Sequence, residues 1–334
     1  PAPCGDGTAG TMTQTSTQEM KCEPSRHWED YFHDHYHEWA GLELGIKAGA
    51  IFYLPPGDAA SFAAFLHKIG YHTSVSGFGY VYRAASVERV SNPPDGSRIS
   101  VYVSKEKKIC NRLKYLDELH QLQRSEPRGL TGKEIFYELG GLLGYPRCCS
   151  SSLQDIYEKR LAQHEELAST DYSDETLYPM LALQRSRRVN HHLNNFSNHL
   201  RCLVSFYVCS YDCPHAESIA MRVLTFASQL HDAEKIEAQL KAPLLFVSPR
   251  ETIFLPGARK KEGKVHYGST HFKGENISQK SEEDALRFRH LCASLEKGNS
   301  LEITDTAIAI FSDGTLISTF MKRHRYDGVF VEFD

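Results

Sequence analysis

Much of the usual vocabulary of enzymes is missing from this chain. It holds no Walker loop, His-Glu-x-x-His or Gly-x-Ser-x-Gly, and its Gly-x-Gly-x-x-Gly spacing, GDGTAG at 5–10, falls in the polar, aperiodic opening stretch with no strand pattern before it. Ordinary nucleotide-cofactor, zinc-protease and serine-hydrolase readings therefore lose their sequence support. No apolar run approaches the ~18 residues that a membrane helix needs, so no membrane partner is expected. The opening stretch, PAPCGDGTAGTMTQTSTQEM, lacks the basic start and apolar core of a signal peptide. It also lacks an initiator Met, which points to a fragment or a processed chain. A reducing, cytoplasmic compartment is the default expectation. Neither sign of charge dominates: a net charge of −4 and a pI near 6.5 argue against a surface built for nucleic acid. Fixed-period repeats are absent as well.

What is present is a globular composition. The 334 residues are 41% hydrophobic and 24% charged, enough for a substantial core without disulfide staples. At ~150 residues per domain, about two domains are expected. Residues 1–24 read as a disordered tail and 25–104 as a small α/β region. Residues 105–240 read as a helical, cysteine-bearing core and 241–334 as an α+β C-terminal region. The expected fold class is α+β, mixed α and β, with a helical middle flanked by strand-bearing ends. A helix over DAASFAAFLHKIG is expected to be capped by Asp58, and one over TGKEIFYELGGLLG to start with a Thr131/Glu134 capping box and close at Gly144. A helix carrying Pro179 is expected within DETLYPMLALQRSRRVNHHLNNFSNHL. The apolar run LRCLVSFYV reads as a buried strand, and Ser312-Asp313-Gly314 as a hairpin turn.

The nine cysteines are an odd number and unevenly spread. Cys110, Cys202 and Cys292 lie in apolar stretches and read as small core residues. The other clusters stand out: Cys148 and Cys149 in LGYPRCCS, and Cys209 and Cys213 in YVCSYDCP. Both segments sit where a helix is predicted to begin. Unpaired N–H groups and the positive end of the macrodipole there favour thiolate over thiol. If the two helix starts face each other, three or four thiolates converge on one soft metal centre. Thiolates select zinc or iron–sulfur clusters. The spacings Cys-Cys and Cys-x-x-x-Cys do not match the paired Cys-x-x-Cys knuckles of zinc sites. A three-cysteine site with an open iron is therefore the first reading, a 4Fe-4S cluster being favoured and zinc the alternative. A redox or nucleophilic thiol pair and inert packing are the other readings of the same residues.

LGYPRCC followed by YVCSYDCPHAES resembles an uncharacterised prokaryotic family, known only as a domain of unknown function. Its members carry a Leu-Gly-Tyr-Pro-x-Cys-Cys element and a later Pro-Cys-Ser-x-x-Cys element. The resemblance runs from about residue 95 to 230 and departs at Val208, where the family places Pro. It implies a shared cysteine site and no particular reaction.

Around the cysteines, Arg147 is a candidate to lower a neighbouring thiol's pKa or bind an anionic substrate group. Cys148 is the candidate nucleophile or persulfide carrier, and His215 or Glu217 the proton donor or acceptor. Tyr145 and Tyr211 are candidate walls of a substrate pocket. His192 and His199, seven apart, would share a helix face with Asn195 and Arg188 nearby, beside His191. His33, His35 and His37 alternate, which on a strand would put them on one metal-binding face and on a helix would spread them apart. Short basic runs at 185–188, 259–264 and 321–325 read as solvated surface. The functional expectation is a metalloenzyme performing sulfur transfer or lyase-type chemistry on a small-molecule substrate. A structural-zinc interaction protein and a metal-free thiol oxidoreductase are the alternatives. The letters do not set an oligomeric state.

Overall fold

The computed structural model describes residues 35–83, 86–90, 97–125, 132–162, 174–196, 202–248, 251–274, 282–323 and 326–334, with Trp28 and Tyr31. The Thr131 half of the expected capping box, His33 and His199 lie outside the described residues. The class is α+β, as expected: among the described residues all strand pairings are antiparallel, in three small sheets.

Helix α1 (Tyr36–Glu43) precedes the first sheet, built from β1 (Ala50–Leu54), β2 (His72–Arg83), β3 (Ser86–Val90) and β4 (Arg98–Ser104) in the order β1-β4-β2-β3. The two-residue alternation of β4 covers both faces. Val101 and Val103 meet Phe62 and Leu66 of α2 (Pro56–Lys68). Tyr102 points the other way, to Leu113 and Leu116 of α3 (Lys107–Ser125) and Leu139 of α4 (Gly132–Leu142). Helix α2 starts at Pro56 after Pro55 with no side-chain cap; Asp58 stands inside its first turn, not at the cap. Proline pre-sets the first-turn backbone, so a capping carboxylate is not required there.

The middle of the chain is helical: α5 (Arg147–Ala162), α6 (Asp174–Arg185, with Pro179 inside), α7 (Pro214–Ala227) and α8 (Ala233–Leu240). The expected strand at 202–208 is not formed. Leu203, Val204, Phe206 and Val208 are buried as expected, but as an irregular segment. Side chains serve its backbone instead of a sheet partner, with Asn195 Nδ2 donating to the Phe206 carbonyl at 2.9 Å. Nor does the helix beginning at Asp174 reach the histidines. After Arg185 the chain makes only a 3-10 turn, His191–Leu193, whose start Asn190 caps by accepting from the His192 amide.

The C-terminal part holds β5 (Leu244–Ser248), β6 (Glu251–Phe254), β9 (His271–Gly274) and β13 (Val329–Val331) in one sheet, ordered β13-β5-β6-β9. Another comprises β7 (Arg259–Lys261), β8 (Lys264–His266), β10 (Ser300–Ile303), β11 (Ala307–Ser312) and β12 (Thr315–Met321), with α9 (Glu282–Lys297) packed on its core. The expected hairpin joins β11 to β12 through Asp313 and Gly314, both at positive φ (49° and 81°), as a two-residue primed turn requires. Strand β5 ties the halves together. Leu244 and Phe246 face the core around the cysteines, while Leu245 and Val247 face the C-terminal core.

Candidate metal centre

Local chemistry places each sulfur. Helix α4 stops at the left-handed Gly144 (φ +76°), where any Cβ would stand 2.5 Å from the Ile46 carbonyl oxygen. Tyr145 and Pro146 then turn the chain, and α5 opens at Arg147, with Ser150 N–H donating to the Pro146 carbonyl at 3.0 Å. Proline cannot continue α4 and suits the entry of a new helix. Cys148 and Cys149 thus occupy the first turn of α5, the first half-buried and the second buried. Cys213 is the N-cap of α7, with Pro214 at its first position. Cys209 arrives on the loop held by Asn195.

The two helix starts do face each other. Cys148 Sγ lies 3.6 Å and Cys149 Sγ 3.9 Å from Cys213 Sγ. All four sulfurs, Cys209 included, lie within 4.8 Å of one another, a group that could hold a metal ion. The described cysteines are all free thiols. Hydrogen bonds from Cys149 and Cys209, helped by the Ala216 amide and by Cys148, outweigh burial and bring the Cys213 thiol down to about 2. The same bonds, to Cys209 and Cys213, push Cys149 up, and burial adds to them. Burial, and then Cys213 and Cys209, push Cys148 up to about 11. The neighbouring sulfurs thus favour the charged form of Cys213 and the neutral forms of Cys148 and Cys149. Further negative charge is opposed until a cation enters.

Other expected site residues fare differently. Arg147 is exposed at the start of α5, and the largest influences on the Cys148 thiol are burial and the neighbouring sulfurs of Cys213 and Cys209. His215 is exposed at the second position of α7. Tyr211 is fully buried, stacks on Phe196, and donates its hydroxyl to Asn195 Oδ1 at 2.9 Å. Tyr145 packs with its ring centroid 5.2 Å from that of Phe206. Arg188 pairs with Glu217 at 3.1 Å on the surface. His35 stacks on Tyr31 and His37 is buried on α1, their rings 6.2 Å apart, so these two do not share a strand face. His192 lies beside His191 and Glu237.

Sequence reading passed over one buried network. Lys47 Nζ donates to Glu38 Oε1 at 2.7 Å and to Ser205 Oγ at 2.6 Å. Its aliphatic stem threads between Gly41 and Gly144, at each of which a Cβ would meet it within 3.1 Å. Burial works to raise Glu38, but the charges of Lys47 and His37 and the bonds from Lys47 and Ser205 hold it below the ordinary carboxylate value. The signal was a lone lysine inside the apolar GIKAG. Beside this network, between Gly144 and Phe206, lies a cavity of only about 10 Å³, room for about one water.

Comparison of the chain with family models, curated proteins and solved structures gives no match. Among the described residues no helix is long and apolar enough to cross a membrane.

Proposed function

We propose that this is a zinc-organised protein, in which Cys148, Cys149, Cys209 and Cys213 together ligate one tetrahedral ion that pins the start of α5 to the start of α7. The mutual distance of the sulfurs carries this reading. Zinc–sulfur bonds of about 2.3 Å at tetrahedral angles set sulfurs ~3.8 Å apart, and the two measured separations here are 3.6 and 3.9 Å. A cubane iron–sulfur cluster interposes its irons and sulfides, so its cysteine sulfurs stand well beyond mutual contact. The geometry thus favours the zinc alternative over 4Fe-4S. Four thiolates also fill the shell of zinc, which marks a structural centre and leaves no open position for sulfur transfer or lyase chemistry. The ion supplies charge: it lets several buried sulfurs be thiolates at once and cross-links segments more than sixty residues apart in sequence.

Metal analysis and an absorption spectrum of protein purified without oxygen test this. The expected result is a colourless protein whose cysteine centre holds one zinc. A brown chromophore with iron and sulfide overturns the reading in favour of a cluster. Metal-free protein in which Cys209 and Cys213 cycle with a dithiol reductant overturns it in favour of a thiol oxidoreductase.

A further inference from the structure

A separate group of ligating side chains lies around the 3-10 turn that follows Asn190. His191 and His192 sit side by side on the 3-10 turn, their ring centroids 3.9 Å apart. Glu237 of α8 faces both: its Oε2 is 3.5 Å from His191 Nε2 and its Oε1 is 3.9 Å from His192 Nε2. Both Nε2 atoms are buried without a hydrogen-bond partner. Buried imidazole nitrogens are normally satisfied, so two such orphans aimed at one carboxylate need an explanation.

The tautomer supplies one. His191 Nδ1 meets the backbone oxygen of Asp334. A carbonyl can only accept, so Nδ1 carries the proton, and in the neutral ring Nε2 is left with its lone pair. An N–H donated to a backbone carbonyl is the outer support that metal-binding histidines commonly have. The turn is also fixed from three sides. Asn190 caps it, Asn190 N–H donates to the Tyr211 carbonyl at 3.1 Å, and Asn194 Nδ2 donates to the Leu240 carbonyl at the end of α8, at 2.7 Å. The last bond locks the histidine turn to the helix that bears Glu237, so the donors are held in place before any ion arrives.

We infer that His191 Nε2, His192 Nε2 and the Glu237 carboxylate form a second metal site, independent of the cysteine centre, for a divalent first-row ion of the zinc type. The donor atoms lie within 4.8 Å of one another. Two imidazoles and a carboxylate suit zinc, with its ligand bonds of about 2.0–2.2 Å. Three protein ligands leave the fourth position to solvent, and Glu237, whose side chain is 36% exposed, opens the site to entry from the surface. Lys241 holds Glu237 Oε2 at 2.8 Å in an exposed i,i+4 pair. Such pairs are weak and solvent-screened, so the lysine is displaced when a dication binds. This site has a position for water, which the cysteine centre lacks.

Cobalt(II) separates the two sites, because thiolate ligation gives intense sulfur-to-metal charge transfer and nitrogen–oxygen ligation does not. The full chain, stripped and then titrated with cobalt, is expected to take up one equivalent beyond the sulfur-bound ion, seen as ligand-field bands without added charge transfer. Glu237→Gln, at a half-exposed position, and His192→Ala are each expected to weaken that extra equivalent by more than the roughly 10–100-fold that follows loss of an outer support, and to leave the charge-transfer band intact. Cys148→Ser/Cys213→Ser is expected to do the reverse. If His192→Ala does not fold, Glu237→Gln decides. Cobalt uptake confined to sulfur, or a Glu237→Gln chain that binds the extra equivalent as tightly as the parent, overturns the inference and leaves the cysteine centre untouched.

Discussion

Replacing Cys213 by serine isolates the metal contribution, because serine is itself a good helix N-cap. The start of α7 therefore keeps a capping oxygen, and what is removed is the sulfur that touches both Cys148 and Cys149. Structural zinc sites contribute apparent binding energies of about 10–16 kcal/mol at pH 7, or roughly 3–4 kcal/mol for each of four thiolates. With a domain stable by only ~5–15 kcal/mol, such a loss is large. At about 1.4 °C per kcal/mol for a chain of 334 residues, Cys213→Ser is expected to lower the melting temperature by about 5 °C. Calorimetry with and without a zinc chelator gives the sharper comparison. Chelator lowers the melting temperature of the parent toward that of Cys213→Ser and changes the variant little. Cys292→Ser, remote from the centre, keeps the full chelator response. A Cys213→Ser protein that melts with the parent, holds as much zinc and still responds to chelator refutes the reasoning.

Lys47→Met leaves Glu38 buried without its cation and is expected to cost about 3–5 kcal/mol in urea unfolding, with much of it recovered in Glu38→Leu/Lys47→Met; equal stabilities of the single and double variants contradict this. Glu38 also sets a pH dependence. Its folded pKa lies below the ordinary 4.5, so the unfolded chain binds the extra proton, and the contribution is full above that value and lost as pH falls below it. Unfolding free energies between pH 6 and about 3 should fall more steeply for the parent than for the double variant, and parallel slopes would remove Glu38 as the cause. Gly144→Ala, which puts a Cβ at φ +76° and 2.5 Å from the Ile46 carbonyl, is expected to destabilise by about 2–4 kcal/mol and to loosen zinc binding by displacing the start of α5. An unchanged melt with normal zinc content argues against that coupling.

Local signals in the letters located the helix starts. Pro146 and Pro214 forbid continuation of what precedes them, and Gly144 supplies the left-handed residue that ends α4. These features put Cys148, Cys149 and Cys213 at helix N-termini without any knowledge of the tertiary structure. The apolar run 202–208 misled because burial and β-branching alone do not show whether a strand partner exists; here Asn195 serves its backbone instead. Spacing rules suggested an open three-cysteine site, since adjacent cysteines rarely share an ion, but the first turn of α5 brings both Cys148 and Cys149 to Cys213. Pairings set only by tertiary packing were invisible: Glu38–Lys47–Ser205, and Glu237 against the histidine turn, join segments tens of residues or more apart.

The central claim is that four sulfurs converge on a single ion. X-ray absorption at the metal edge of zinc-loaded Glu237→Gln, in which only the cysteine centre is filled, measures this directly. The account predicts four sulfur scatterers at about 2.3 Å and no short metal–metal vector. A metal–metal vector, or a shell dominated by nitrogen and oxygen, contradicts it.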